Sequence, residues 1–171
     1  REDGALVVVW RGQGGQAIEQ TIIDDFVEDT TPAGVDDSDN VNLPISGSQD
    51  SPEVTALADG GHLVVWMSQG SSNPDTSNYG IYAQRYDAAG EKVGSPVLVN
   101  TYTNSGQYYP SAAGLDDGSY VVTWQSSRQD RSGWGIYAQL FAANGTKTVG
   151  EALVTTTVAS SQLESSVTAL T

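Results

Sequence analysis

Short apolar runs separated by polar turns recur along the whole chain. Three of them, Leu6–Trp10, Leu63–Trp66 and Val121–Trp124, are rich in Val and end at Trp. Nearly continuous apolar runs of this length predict strands that are buried on both faces. The segment Ile81–Tyr86 alternates apolar and polar residues, which predicts a strand with one exposed face. Because long runs of Ala, Leu, Glu and Lys are missing, the sequence predicts an all-β protein.

The Trp runs are copies of one motif. Asp3–Trp10, Asp59–Trp66 and Asp117–Trp124 each begin with Asp-Gly and place Asp and Trp seven positions apart. Successive copies start 56 and 58 positions after each other. Asp-Gly before an apolar run is a hairpin signal. Self-similarity at a fixed period is the signature of a repeat architecture.

Three further blocks recur in the same order, so each unit contains four strand candidates. Turn residues, Ala89-Gly90 and Asn144-Gly145, separate the second block from the third. We expect one repeat domain of three four-stranded units, roughly residues 1–57, 58–115 and 116–171. The blocks are Gly80–Tyr86 with Gly135–Phe141 and, more weakly, Gln16–Ile22; Val93–Asn100 with Val149–Thr155; and Gln49–Leu57 with Gln107–Leu115 and Gln162–Leu170.

The units are staggered along the chain, which starts at a Trp run and stops where the next Asp-Gly would follow. The final segment is therefore expected to be the β-partner that the first strand lacks, as in the closure of propellers. A compact prism of three sheets, a six-bladed ring of two chains and donation of the tail to a neighbouring subunit all fit this pattern. A piece of a longer array fits it too. The predicted fold is thus propeller-like or prism-like, closed within or between chains.

The segment Tyr79–Gly90, together with the Trp runs and Val99–Thr101, resembles a repeat of very large bacterial surface and secreted proteins. Such proteins often also carry calcium-binding RTX-type or cadherin-like repeats. The resemblance covers residues 49–171 well, and residues 1–48 through Asp3–Trp10 and fragments. It implies an extracellular or cell-surface location and an adhesin-like or matrix role, with calcium as a common cofactor. It supplies no catalytic motif.

Charge and composition argue against several partner classes. Seven basic against 21 acidic residues give a formal net charge of −14, whereas binding nucleic acid needs a basic surface. No stretch approaches the ~20 apolar residues of a membrane span, so no membrane insertion is expected. The chain has no Cys. A secreted protein of this sequence would depend on core burial, strand pairing or bound metal instead of disulfides.

An acidic insertion, residues 24–40, interrupts the first unit and is the candidate calcium site. Calcium takes roughly six to eight oxygen ligands from a flexible loop, and Asp36, Asp37 and Asp39 supply carboxylates densely. The insertion lacks the Gly and Glu spacing of an EF-hand loop and the Gly-Gly-x-Gly-x-Asp nonapeptide of RTX proteins. A solvated acidic loop is the alternative explanation.

Two aromatic residues, Tyr79 and Trp134, occupy equivalent positions after polar loops and just before the second block. An aromatic ring on a polar loop can stack on the apolar face of a sugar. These loops are therefore a candidate glycan site, with an ordinary surface turn as the alternative. The candidate ligand-binding residues are Tyr79 and Trp134 with the polar residues Asp75, Asn78, Gln129 and Asp130.

Glutamine also recurs at fixed places in the blocks. Amide side chains at such places most often satisfy backbone groups at strand ends, so a structural role is expected. The recurring residues are Gln20, Gln84 and Gln139 in the second block and Gln49, Gln107 and Gln162 at the start of the fourth.

No catalytic motif is present, and we expect no enzyme and no catalytic residues. His62 is the only histidine, and Tyr120 takes its place in another unit. A Gly-x-Ser-x-Gly nucleophile turn is missing, and a zinc site would need Cys or several His. The sequence therefore favours an extracellular structural or adhesive module that assembles with itself or with neighbouring repeats. The alternative is a carbohydrate-binding module, with or without calcium.

Overall fold

The computed structural model describes residues 6–12, 15, 17–23, 39–41, 47–70, 78–131, 133–156 and 160–170. In these ranges the chain forms eleven strands, which confirms the predicted all-β class, and contains no helix able to cross a membrane. The strands are β1 (Leu6–Arg11), β2 (Ile18–Ile23), β3 (Asp39–Asn40), β4 (Ser48–Ala56), β5 (His62–Gln69), β6 (Gly80–Tyr86), β7 (Lys92–Leu98), β8 (Gln107–Gly114), β9 (Tyr120–Ser127), β10 (Trp134–Phe141) and β11 (Ala152–Leu153).

The strands form three antiparallel sheets in chain order. The first contains β1, β2 and β3, the second β4 to β7, and the third β8 to β11. The second and third sheets each have four strands, and strands that follow each other along the chain are paired. The sheets pack in series: β1 lies against β4, and β4, β5 and β6 lie against β8. The second sheet is therefore covered on both faces.

The hairpin turns match their sequence signals. Asp59 Oδ1 accepts a hydrogen bond of 3.0 Å from the Gly61 N–H, and this bond lowers the pKa of Asp59. Left-handed backbone is strained for residues with a Cβ, so glycine is required at the turn positions. The predicted turn glycines, Gly60, Gly90, Gly118 and Gly145, all have φ between 82° and 84°.

The first strands of the two complete sheets share one irregularity. The register shifts within Asp50–Glu53 in β4 and within Tyr108–Ser111 in β8. Ser51 and Tyr109 lie in these bulges with φ of 50° and 52°, and each is followed by a proline. A bulge adds one residue to a strand and bends it. The same bend therefore begins both sheets.

Two hydrophobic clusters fill the spaces between the sheets. Side chains of successive strand residues point to opposite faces. In β5, Val64 and Trp66 therefore join the cluster against the first sheet, while Leu63 and Val65 join the cluster against the third. The core of the chain is thus made of contacts between sheets.

Burial of the Trp runs on both faces is confirmed in β5 and β9, where Trp66 and Trp124 are fully buried. It is wrong for β1, where Leu6 and Val8 are 44% and 39% exposed, because no described residues form a sheet on that side. The expectation that the segment Ile81–Tyr86 exposes one face is also wrong. This segment lies in the middle sheet, and its side chains pack alternately into both clusters.

Glutamines in the blocks bind backbone groups, as predicted. Gln84 Nε2 donates to Arg85 O at 2.8 Å, and Gln139 Nε2 donates to Leu140 O at 2.9 Å. Each also reaches the neighbouring strand or loop, at Val93 O and Val149 O. The side chains of Gln49, Gln107 and Gln162 each donate to the carbonyl two residues earlier, at 3.2, 2.6 and 2.7 Å.

Gln20 does not belong to this set. Trp10 pairs with Glu19, where Trp66 pairs with Tyr82. Gln20 therefore stands one position before the place of the second-block glutamine, and its side chain contacts His62 instead. The sequence alignment of Gln16–Ile22 with Gly80–Tyr86 is therefore wrong by one residue, and the strand pairing gives the correct register.

The described residues show no closure between the tail and β1 within a single molecule. The tail, residues 160–170, forms no strand pair, and β1 pairs only with β2 among the described residues. The tail lies against the third sheet, where the Glu164 N–H donates to Gln125 Oε1 at 3.2 Å. The first and third sheets pack on opposite faces of the second, which holds the tail and β1 of one molecule apart. The compact three-sheet prism does not describe this serial order.

Gln107→Ala tests the structural role of the block glutamines. Gln107 is fully buried, donates to Ser105 O and accepts from Asn100 Nδ2 at 3.0 Å. Its loss leaves buried partners unsatisfied, so the free energy of unfolding should fall by about 1–3 kcal/mol. Chemical denaturation measures the change. The matched control, Gln162→Ala in the less buried tail, should cost less than about 1 kcal/mol; equal losses would contradict the assignment.

Candidate functional site

Three aromatic rings from different segments meet near the starts of β6, β8 and β10. Tyr79 directly precedes β6, Tyr108 lies in β8 and Trp134 begins β10. The ring centroids of Tyr79 and Tyr108 are 5.4 Å apart, and those of Tyr108 and Trp134 are 5.3 Å apart in an edge-on arrangement. The two aromatic residues proposed from sequence are thus brought together, with Tyr108 between them.

Tyr109 completes this group, which we call the aromatic cluster (Tyr79, Tyr108, Tyr109 and Trp134). Its ring centroid lies 6.3 Å from that of Tyr108, and the residue is 50% exposed. Burial, and then the neighbouring Tyr79 and Tyr109, raise the pKa of Tyr108, so its hydroxyl stays protonated. Sequence reasoning missed Tyr108 and Tyr109, although the Tyr-Tyr pair replaces Asp50-Ser51 of the preceding unit.

The polar residues predicted beside the aromatics divide between two places. Asn78 Oδ1 accepts a hydrogen bond of 3.3 Å from Gln69 Nε2 at the loop before Tyr79. Gln129 Nε2 donates to Glu151, and Asp130 lies beside Gly135 at the start of β10. Asp75 lies outside the described residues. Of these polar residues, Asn78 is the one directly adjacent in sequence to a member of the aromatic cluster, Tyr79.

Glu151 is a polar centre that the sequence patterns did not indicate. Its carboxylate accepts hydrogen bonds from the N–H groups of Thr101 at 2.7 Å and Tyr102 at 3.2 Å, and from Gln129. Burial, then the charges of Asp130 and Glu151, raise the pKa of Tyr137 nearby. The carboxylate links the loop after the second sheet to the third sheet, which makes it a connection between sheets.

The proposed calcium ligands lie largely outside what can be described. Asp36 and Asp37 fall outside the described residues, and only the backbone of Asp39 is described, paired with Gln20. In the ranges given above, no group of three or more His, Asp or Glu side chains is placed to hold a metal ion. Calcium binding by the acidic insertion therefore stays a prediction.

A second candidate site lies at the tail, which repeats the backbone geometry of the first strands β4 and β8. The Gln162 N–H donates to Trp134 O at 2.8 Å. The Gln107 N–H makes the same bond, at 2.8 Å, with Tyr79 O. Glu164 has a φ of 56°, matching the bulge residues of β4 and β8. The tail therefore shares its left-handed residue with β4 and β8 and its backbone bond with β8.

The contacts of the tail with the third sheet also have a counterpart. The Val167 N–H donates to Ser111 Oγ at 3.2 Å. One sheet earlier, the Ala112 N–H contacts Glu53 Oε1 at 3.4 Å. Val167 and Ala112 occupy the same place in the fourth block, as do Ser111 and Glu53. The tail thus continues the series in the same register, and it has no strand paired to it among the described residues.

An open groove of about 390 Å³ lies between the first and second sheets. Its lining includes Val7 of β1, Val54 and Ala56 of β4, His62 of β5 and the turn 87–90. The His62 ring stacks on Tyr86 with centroids 4.6 Å apart, and its Nε2 lies 3.1 Å from Gln20 Oε1. Burial lowers the pKa of His62, so the ring is neutral at pH 7.

Comparison with known proteins gives the fold alone. No protein-family model matches the chain, and no curated protein matches it in sequence. The structure is similar to that of an endo-arabinase from Bacteroides thetaiotaomicron, with a TM-score of 0.54 and 16% sequence identity. The alignment covers 90% of this chain and 57% of the endo-arabinase chain. The chain therefore spans a little over half the length of that structure.

His62→Tyr tests the burial of a neutral imidazole at the groove. The folded-state pKa of His62 lies below its unfolded value, so stability is complete above pH of about 6.5 and falls as the unfolded chain takes up the proton. Tyr is the matched replacement because Tyr120 stacks on Phe141 at the equivalent place, at 4.9 Å. Thermal unfolding between pH 7 and pH 5 should show a decrease in Tm that the variant reduces. An identical decrease in both proteins would contradict this.

Proposed function

We propose that the chain is a structural repeat module of an extracellular protein, whose propeller-like series of sheets continues by pairing with a further unit. The observation that carries this is the tail, which has the left-handed residue of β4 and β8 and the backbone bond of β8 but no paired strand among the described residues. The resemblance to surface-protein repeats supports the extracellular, adhesin-like role. This structural role requires only strand pairing and the burial of apolar side chains.

The two ends of the series are complementary. β1 contains the Trp run Leu6–Trp10, the kind of strand that β4 and β8 pair with, and it has one edge without a partner in the described residues. Leu6 and Val8 on its outer face are exposed, whereas Val64 and Val122, which take the place of Val8 in the covered sheets, are fully buried. Contact between the head of one copy and the tail of another would bury this apolar face. Burial of apolar surface is the main driving force of such association.

Self-association can be measured directly on the isolated chain. Size-exclusion chromatography with light scattering should give a mass above that of one chain, increasing with concentration toward a dimer or higher species. Deleting residues 162–171 should return the chain to a monomer, because the donated strand is lost. A chain that stays monomeric at every concentration, with stability unchanged by the deletion, would contradict the proposal.

Carbohydrate binding at the aromatic cluster is the second candidate function. Its specific support is that rings proposed from separate loops meet in one group, with Tyr109 half exposed at the surface. Aromatic rings of this kind can stack on the apolar face of sugars. The similarity in fold to an endo-arabinase is in keeping with a carbohydrate-related role. The first unit has Ser51 at the place of Tyr109, so the cluster is a local feature of one region.

Tyr109→Ala and Tyr109→Phe separate stacking from a general effect on the fold. Affinity electrophoresis with soluble polysaccharides, arabinan among them, measures the binding. The Ala variant should weaken binding by roughly fivefold or more, since an aromatic contact is worth about 1 kcal/mol, while the Phe variant keeps it. Binding that survives both Tyr109→Ala and Trp134→Ala would exclude the cluster as the site.

A further inference from the structure

The last residue of the fourth block has a defined place between two sheets. Leu57 ends this block after β4 and is 6% exposed. It packs in the cluster between the second and third sheets, together with Leu63, Ala112 and Tyr120. Leu57 thus fills the space that opens between a Trp run and the first strand of the next sheet.

The groove is the same space one sheet earlier. Val7, Val54 and His62, which line the groove, occupy the places of Leu63, Ala112 and Tyr120 in the repeat. No residue of the described chain fills it in the way that Leu57 fills its equivalent. The groove is therefore a site shaped for a leucine at the end of a fourth block.

Leu170 is the leucine of the tail and is 92% exposed. It follows Gln162 by eight positions, as Leu57 follows Gln49. The tail shares its left-handed residue, Glu164, with β4 and β8, and its backbone bond at Gln162 with the one that Gln107 makes in β8. The molecule thus has an exposed copy of the group that the groove accepts, and the two lie at opposite ends of the series of sheets.

We propose that the groove is an acceptor for the tail of a second copy of this chain, with Leu170 inserted between Val7 and Val54. This deepens the proposed function by naming the partner, the site and the register. Residues 162–169 of the donor then add a strand to the edge of β1 that has no paired strand in the described part of the chain. The contact joins two different surfaces, so copies assemble head to tail, as a closed ring or as an open filament.

The register of the added strand follows from the two complete sheets. Thr55 pairs with Leu63 in the second sheet, and Ala113 pairs with Val121 in the third. The same position of the repeat places Thr168 of the donor opposite Val7 of the acceptor. A shift by one residue would turn every side chain of the tail to the other face and remove Leu170 from the groove.

A mixture of two single-cysteine variants tests this register, whatever the size of the assembly. The chain has no native Cys. A mixture of Val7→Cys and Thr168→Cys chains should form a disulfide-linked pair under mild oxidation, since opposed Cβ atoms in a strand pair lie within disulfide reach. Val8→Cys with Thr168→Cys is the control and should give little product, because adjacent side chains point to opposite faces. Equal yields from both mixtures would overturn the register.

Leu170→Asp tests the groove itself. Light scattering or analytical ultracentrifugation should show association weakened at least about tenfold, because a buried leucine is replaced by a charge. Val149→Asp is the matched control: Val149 is also exposed, at 61%, and lies outside the donated strand, so its change should leave association intact. If the unmodified chain never associates, the proposed function fails. If it associates but neither the Leu170 variant nor the cysteine pair behaves as expected, only the groove assignment fails.

Discussion

The apolar side chains on a face of a sheet in this chain are buried where another sheet packs against that face. Each strand of the middle sheet sends successive side chains to opposite faces, and both faces carry apolar residues. One sheet therefore cannot form its own core, and stability comes from the stacking of neighbours, as in other repeat proteins. The described first sheet shows the consequence, since its outer face leaves Leu6 and Val8 exposed.

The same constraint connects the fold with its proposed role. A series that gains stability from each neighbour has two ends that differ from its middle. Among the described residues, β1 at one end has no first strand paired with it, and the tail at the other end has no Trp strand paired with it. The aromatic cluster adjoins the tail end of the series, because the Gln162 N–H donates to the backbone oxygen of Trp134. Its rings come from residues next to or within the second and third sheets, away from β1.

Much of the fold could be predicted from sequence because its signals are local. The turns at Gly60 and Gly118, the Trp runs of β5 and β9 and the block glutamines other than Gln20 have the expected structure. The burial of Ile81–Tyr86 could not be predicted, because its alternating pattern does not show that a sheet covers each face. The place of Gln20 in the repeat could not be predicted either, because it follows from the pairing of Trp10 with Glu19. These properties depend on residues far away in sequence.

The candidate site shows the same division. Tyr79 and Trp134 were recognisable from equivalent loops, but the ring that joins them, Tyr108, belongs to a different block. Glu151 gave no signal because its partners are backbone N–H groups of a distant loop. The groove could not be predicted from sequence, because it is defined by how the three sheets pack. Leu57 fills the space between the second and third sheets, and Val7 lines the equivalent space between the first and second.

Amide hydrogen exchange of the tail measured at several protein concentrations tests the central claim most directly. The backbone N–H groups of residues 163–169 make few hydrogen bonds within one molecule, whereas a strand paired with β1 of another copy would protect alternate ones. The account predicts protection of the tail and of the β1 edge that increases together with concentration. Fast exchange of both segments at every concentration, while β5 and β9 remain protected, would contradict it.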